Sequence, residues 1–361
     1  MNERNDIMGM LDLMVLPGFC VQNNKIIKLN PAAEGLLLEP GMDIHPLLHT
    51  GRQEYADFSG GCLYLTLSLG GQFCGASVTR VGALDVFVLE QEEDRTEFRS
   101  MALAARELRE PLAGIMITAE RMFPMSAMEN NPALQEQAAR LNRGLYQMLR
   151  ILGNMSDAGS YSEEHAPHLT TMDVQALFRE IFEKVQALVS HTGISLEFEN
   201  LPQSLYCLVH PEKLERAVMN IISNALKFTP AGGTIQARLT RQGSRLTLSI
   251  CDSGEGIPDA IRGSVHSRFR RTPGIEDSRF GIGLGMVLIR SAAAIHGGTV
   301  LIDHPEGAGT RITMTLKIRQ NTSGAFRSAP RLPDYAGELD HGLIELSEVL
   351  PHGLYGTEKI K

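Results

Sequence analysis

Two stretches of this chain repeat apolar residues at alternating spacings of three and four. Phe98, Met101, Ala105, Leu108, Leu112, Ile115, Ala119 and Met122 form one series; Leu134, Ala138, Leu141, Leu145, Met148, Leu152 and Met155 form the other. That period lays each series along one stripe of a helix, and a stripe of that length cannot be buried by its own helix. Pro124 and the pair Asn131-Pro132, a cap followed by proline at the first helical position, interrupt the chain between them. Residues 91–158 are therefore expected to form an antiparallel helical hairpin. Two copies would close into a four-helix bundle, so a homodimer is the natural solution.

The regions on either side differ in pattern. Residues 10–90 read as short strands, Leu16–Val21, Lys25–Leu29, Cys62–Leu67, Gly75–Arg80 and Asp85–Leu89, with a helix opening at the cap Asn30-Pro31. Residues 170–318 alternate helix and strand: helices Val174–Leu188, Pro211–Phe228 and Gly283–His296, a strand Ile194–Glu199, a hairpin Thr234–Leu239 with Ser244–Asp252, and a last hairpin around Glu306–Gly309. The expected fold class is α+β and multidomain, with an α/β sandwich in the third region whose helices cover one face of a mostly antiparallel sheet. Residues 319–361 form a tail in which Leu343, Ile344, Leu346, Val349 and Leu350 fit one short amphipathic helix; docking on the body or on a partner is open to it, and a frayed terminus is the favoured expectation.

Composition narrows the function. The formal net charge of −8 and the lack of a dense Lys/Arg block argue against nucleic acid as a partner. Cys20, Cys62, Cys74, Cys207 and Cys251 are scattered, with no C-x-x-C pair, as in reduced thiols. His45, His49, His165 and His168 show no metal-ligand spacing. No apolar run approaches the ~18 residues of a membrane span, and the N-terminus lacks a basic-then-apolar signal layout, so a cytoplasmic protein without membrane insertion is expected.

The chemistry gathers in the third region. Asn220, Asn224 and Lys227 lie one and two helical turns apart, on one face. Amide oxygens are hard ligands suited to Mg²⁺, and a lysine meets phosphate oxygens. Asp252 ends a strand and is followed by Gly254 and Gly256; such a carboxylate can accept a hydrogen bond from an exocyclic amine, and glycines let backbone approach a flat ring. Gly281, Gly283, Leu284 and Gly285 open the next helix, a glycine-rich lead into a helix N-terminus that can cradle phosphate.

These three clusters, in this order, resemble the N, G1 and G2 boxes of the histidine-kinase ATPase domain, within the GHKL superfamily. Arg268-Phe269-Arg270-Arg271 resembles its F box. The resemblance implies that Asn220 and Asn224 hold Mg²⁺ through ATP, that Lys227 sits near the phosphates, and that Asp252, Gly254 and Gly256 form the adenine pocket. It also implies that Phe269 belongs to a lid over roughly 265–282 and that Gly281, Gly283, Leu284 and Gly285 flank the phosphates. His210, where the family often has Asp, and Phe280, where a lid glycine is common, are departures that remove no ligand. The strand and helix order of 10–90 is similar to a PAS sensory domain; a small α+β module that only dimerises fits the same pattern nearly as well.

The run Ala105-Arg106-Glu107-Leu108-Arg109-Glu110-Pro111-Leu112 resembles the family's phosphoacceptor box, but Arg106 stands at the histidine position. A guanidinium is protonated at physiological pH and offers only donors, so it cannot attack a γ-phosphate. Glu110 replaces the Thr or Asn that helps place water in the family, and Glu107 keeps the acidic residue but has no histidine to orient. Arg106 and Glu110, one turn apart, are expected to form an exposed ion pair. The resemblance implies a cytoplasmic two-component signalling protein with ATP and Mg²⁺ as cofactors, partnered by a response regulator or another histidine kinase. Self-phosphorylation is unexpected; transfer to a histidine on another chain stays open. Two alternatives remain: a nucleotide-binding pseudokinase that regulates a partner, and a GHKL-type Ser/Thr protein kinase.

Overall fold

The computed structural model describes residues 2–90, 93–128, 131–160, 169–256, 283–305, 307, 309–319 and 339–356. The N-terminal unit holds helix α1 (Asn2–Asp12), strands β1 (Gly18–Gln22) and β2 (Lys25–Leu29), a short helix α2 (Arg52–Asp57), and strands β3 (Cys62–Leu69), β4 (Gln72–Val81) and β5 (Leu84–Leu89). The strands lie in the order β2-β1-β5-β4-β3, each pair antiparallel. Asn23 and Asn24 turn β1 into β2 at φ of 50° and 62°, a left-handed pair that asparagine tolerates best among non-glycine residues. The expected helix at Asn30-Pro31 is only a 3₁₀ turn, Pro31–Ala33. Asn30 is buried and accepts from the Gly18 and Ala33 amides at 2.9 and 3.0 Å, which caps the turn. Glu34 is already extended, and Gly35 at φ 95° carries the chain out of the helical region.

Helices α3 (Glu93–Met122), α4 (Met125–Met128) and α5 (Pro132–Ser160) follow, α3 and α5 packing as a hairpin. Asn131 accepts from the Leu134 amide at 3.1 Å and so opens α5. Each apolar series splits into two faces. Phe98, Ala105, Leu112 and Ala119 are buried, with Ala138, Leu145 and Leu152 opposite. Leu108, Ile115 and Met122 are 53%, 51% and 68% exposed, and Leu141 and Met148 are also exposed. One chain thus covers half of its own seam. Arg106 and Glu110 are exposed on α3, and the expected ion pair between them is not formed; neither side chain has a salt bridge among the described residues. An exposed pair gains little in water and restrains two long side chains, so the balance falls near zero.

The third unit runs β6 (Thr170–Asp173), α6 (Val174–Val189), β7 (Ser195–Glu199), β8 (Tyr206–Val209), α7 (Pro211–Phe228), β9 (Thr234–Gln242), β10 (Arg245–Asp252), α8 (Leu284–Ile295), β11 (Val300–Asp303) and β12 (Arg311–Lys317). β6 and β8, absent from the sequence reading, pair as a separate two-stranded ribbon. Phe178, Phe182 and Val185 of α6 and Val218, Ile221 and Ile222 of α7 share one core with Ile235, Leu248 and Met314 of the sheet. Burying such side chains is worth roughly 1.5–3 kcal/mol each.

The two sheets are one. β3 pairs antiparallel with β11, Cys62 opposite Ile302 and Tyr64 opposite Val300, giving the order β2-β1-β5-β4-β3-β11-β12-β10-β9-β7. Among the described strand pairs of this sheet, only β7–β9 is parallel. Arg290 of α8 seals the seam, 3.3 Å from Glu90 and 4.8 Å over the Tyr64 ring, while Glu54 accepts from the Thr315 hydroxyl at 3.0 Å and pairs with Arg245.

The tail is not frayed where it is described. Helix α9 (His341–Glu345), capped by Asp340, leads to a 3₁₀ turn His352–Tyr355, and Leu343, Ile344, Leu346, Leu350 and Tyr355 are buried against α5, α6 and α7. Among the described residues no helix is long and apolar enough to cross a membrane.

Candidate functional site

Helix α7 carries the first group of site residues and starts where its sequence dictates. Pro211 needs no amide partner at the first turn. His210 caps the helix, its Nδ1 accepting from the Lys213 amide at 3.5 Å, so the residue that stands in place of the family's Asp still supplies an acceptor. The His210 amide in turn donates to His296 Nε2 at 2.9 Å. His296 Nδ1 lies 2.6 Å from the Ala292 carbonyl, which can only accept, so Nδ1 carries the proton and the ring is neutral.

A charged His296 would set one N–H against another. Burial pushes its pKa from 6.5 down to about 4, against the Ala292 bond, which favours the charged form. Because the folded value is depressed, this stabilisation is complete above pH 6.5 and is lost as pH falls from 6.5 to about 4. The loss is up to about 3 kcal/mol over that window. Melting temperatures of wild type and His296→Gln should converge across it; parallel curves would refute the assignment.

Asn220 is buried on α7. Its Nδ2 donates to the Arg216 carbonyl at 2.8 Å, which leaves Oδ1 facing Gly285; an ideal Cβ on Gly285 would lie 2.9 Å from that oxygen. Asn224, one turn on, is half-buried. An amide oxygen with a second asparagine four residues later suits a hard divalent cation that keeps water and phosphate oxygens as its other ligands. Among the described residues no cluster of three His, Cys, Asp or Glu side chains could hold a metal, so a cation here would depend on a ligand's own oxygens.

Asp252 is buried at the end of β10. Its Oδ1 accepts from the Gly254 amide at 2.9 Å and the Thr310 amide at 3.1 Å. Burial raises its carboxyl pKa, and these two bonds oppose the rise. Oδ2 receives no hydrogen bond among the described residues. A Cβ on Gly254 would overlap the Phe228 carbonyl at the end of α7, and one on Gly309 would overlap Asp252 Oδ1. Gly256, at φ 75°, packs against His304. Gly254, bonded to Asp252, therefore abuts the end of α7 that carries Lys227, and Gly256 lies on the His304–Gly309 side of the corner. Thr310 and Gly309 complete this corner; in the sequence they stand out only as part of a hairpin.

Gly283 caps α8 in a left-handed conformation, φ 81°. Leu284 faces away from the site, packed with Val287 against Phe98 and Ala158 of the hairpin. Phe269 and Gly281, with the lid region 265–282, lie outside the described residues.

Lys227 and Asn220 also meet residues that no motif marked. Arg150 of α5 is 4% exposed; its Nη2 lies 3.1 Å from Ser223 Oγ and 3.5 Å from Asn220 Oδ1. Its Nη1 is 2.9 Å from Glu348 Oε2, and that same oxygen pairs with Lys227 Nζ. Glu345 lies between Arg150 (3.8 Å) and Arg216 (3.2 Å), and Arg216 pairs with Asp157 of α5. Burial alone would raise the Glu348 carboxyl, but Arg150 and Lys227 together hold it below its ordinary value; burial depresses Lys227, with Glu348 opposing. Arg106, Glu107 and Glu110 make no hydrogen bond or ion pair with any of these groups.

Residues 209–320 match the family model described as Histidine kinase-, DNA gyrase B-, and HSP90-like ATPase. Relatives include an adaptive-response sensory kinase SasA of Crocosphaera subtropica, 27% identical over 63% of this chain and 61% of its own length. Another is the sensor histidine kinase WalK of Bacillus subtilis, 28% identical over 64% of this chain and 39% of its own. The chain spans less than two thirds of the length of either. Among solved structures, full-length ShkA in complex with AMPPNP aligns with a TM-score of 0.47 at 22% identity, covering 62% of this chain and 46% of that one.

Proposed function

We propose that this chain, a member of the histidine kinase family, is a dimeric two-component signalling protein that binds Mg-ATP through residues 209–320 and does not phosphorylate itself. The observation that carries the reading is the contrast between two places. Asn220, Lys227, Asp252, Gly254 and Gly285 converge around α7, each held by backbone or by a close neighbour. At position 106, by contrast, an exposed guanidinium stands on α3 with no lone pair to offer.

In this reading Asp252 takes the exocyclic amine of adenine on Oδ2 while the Gly254 and Thr310 amides fix Oδ1. Lys227 meets phosphate oxygens, and Asn220 with Asn224 hold Mg²⁺ against them. Mg-ATP supplies an activated γ-phosphoryl group. The chain's own part is to bind and orient it, because Arg106 cannot receive it and Glu107 has no imidazole to direct. The exposed Leu108, Ile115, Met122, Leu141 and Met148 give a second copy an apolar stripe to cover, completing a four-helix bundle. The N-terminal unit, with strand order β2-β1-β5-β4-β3, would act as a PAS-like input. A response regulator or an active kinase would be the partner.

Incubation with γ-labelled ATP should leave no acid-labile label on the wild-type chain. Arg106→His, alone or with Glu110→Thr, should introduce one, since a neutral imidazole restores the nucleophile. A phosphoramidate on the wild type would overturn the reading. Acid-stable label on serine or threonine would favour a Ser/Thr protein kinase instead.

A further inference from the structure

The described part of the tail, residues 339–356, bridges the hairpin and the ATPase unit and meets α7 on the residues a nucleotide would need. α5 holds its backbone: Arg143 donates to the Ser347 and Glu348 carbonyls, each at 2.9 Å, Gln147 to Ser347 at 3.2 Å, and Asn142 to Tyr355 at 3.0 Å. Tyr146 and Tyr355 stack edge to face at 5.3 Å, and the Tyr355 hydroxyl donates to the Leu343 carbonyl at 2.8 Å. This clamp sets the Glu348 side chain across the end of α7. A single carboxylate oxygen, Oε2, is shared by Arg150 Nη1 and Lys227 Nζ. Glu345 behind it neutralises the remaining edge of Arg150 and the Nε of Arg216.

One anionic oxygen held by a lysine and an arginine, beside an asparagine oxygen, is the arrangement that a phosphate oxygen would take. We propose that Glu348 stands in for a nucleotide phosphate oxygen on Lys227 and Arg150, so that docking of 339–356 and binding of Mg-ATP exclude each other. Arg150, delivered by the hairpin, then becomes a further phosphate-facing group once the tail leaves. The Glu348 side chain is 29% exposed, so the exchange can begin from solvent, and release of the buried Leu343, Ile344, Leu346, Leu350 and Tyr355 follows. A ligand that binds only the undocked fraction shows its affinity reduced by that fraction. The inference rests on the nucleotide reading of the site.

The test compares adenosine and Mg-ATP on the full-length chain, wild type and Glu348→Gln, by calorimetric titration. Adenosine reaches only the Asp252 corner and should bind both proteins alike. Mg-ATP should bind Glu348→Gln at least tenfold more tightly than wild type. Equal ATP affinity in two proteins that both bind adenosine would overturn the tail proposal alone. Failure of both proteins to bind either ligand would overturn the nucleotide reading, and the tail proposal with it. Should Glu348→Gln melt far below wild type, hydrogen exchange on the wild type decides. Saturating Mg-ATP should speed exchange of amides 341–350 at least severalfold, and unchanged protection there, with ATP bound, would refute mutual exclusion.

Discussion

Asp252→Asn is expected to weaken ATP binding on the order of 100-fold while leaving the fold nearly intact. The asparagine oxygen can still accept from the Gly254 and Thr310 amides, the two bonds that hold the corner between β10 and the end of α7. What changes is the other atom. Oδ2 becomes an NH₂ group, and a purine amine entering the pocket would meet a donor with its own donors. Binding sites built around one buried polar contact reject a mismatch by 10²-fold or more, since both groups are then desolvated without partners. Titration with ATP, alongside a melting curve, checks both halves of the expectation. A loss of less than about threefold would mean that the adenine lies elsewhere. A large fall in melting temperature would mean that Asp252 is first a structural residue.

Gly298→Ala should lower the melting temperature by roughly 10 °C or more, the largest stability effect expected from a single methyl group here. The glycine follows the end of α8, and an added Cβ would overlap the Thr315 carbonyl oxygen of β12. Neither side can retreat. The Gly298 amide donates to the Ala293 carbonyl at 2.8 Å. Thr315 is tied to Thr299 by its amide and by its hydroxyl, each at 2.9 Å, and its hydroxyl reaches Glu54 across the joint between the two units. Overpacking typically costs about 1–3 kcal/mol and more where, as here, fixed backbone leaves no rotamer change to relieve it. Gly144→Ala is the matched control. It sits inside α5 with nothing within 4 Å of an added Cβ, and a helical Gly→Ala there should stabilise by about 1 kcal/mol. Equal effects from the two substitutions would refute the steric argument.

Much of this was legible where the signal is local. His210-Pro211 and Thr229-Pro230 bracket α7, and the three-four spacing marks α3 and α5, because caps and helical periodicity leave traces within a few residues. The candidate residues on α7 and β10 stand out in the sequence for the same reason, because their chemistry is spaced along single elements; that they bind nucleotide is the proposal. What escaped depends on distant partners. Arg150 reads in sequence as one more charge on an amphipathic helix; its meaning comes from Asn220, Glu345 and Glu348, which lie 70 to 198 residues away. The tail helix was seen as amphipathic, yet nothing in 339–356 says which surface it covers. β6 and β8 are four residues each, too short for alternation to stand out. The Arg106–Glu110 pair failed differently: spacing permits an exposed ion pair but does not enforce one.

The ladder between β3 and β11 has a consequence for the chain's solution behaviour. At this joint Cys62–Tyr64 of β3 and Val300–Ile302 of β11 meet each other's outward N–H and C=O groups. An uncovered strand of that kind is a template for any extended chain that reaches it. Cutting the protein between its units would leave Val300–Ile302 on one piece and Cys62–Tyr64 on the other as open templates, while Thr66 and Leu67 stay bonded to Leu48–Thr50 of their own unit. The joint therefore satisfies two adhesive edges with each other. A signal that pulled the units apart would briefly make both edges available to a neighbouring molecule.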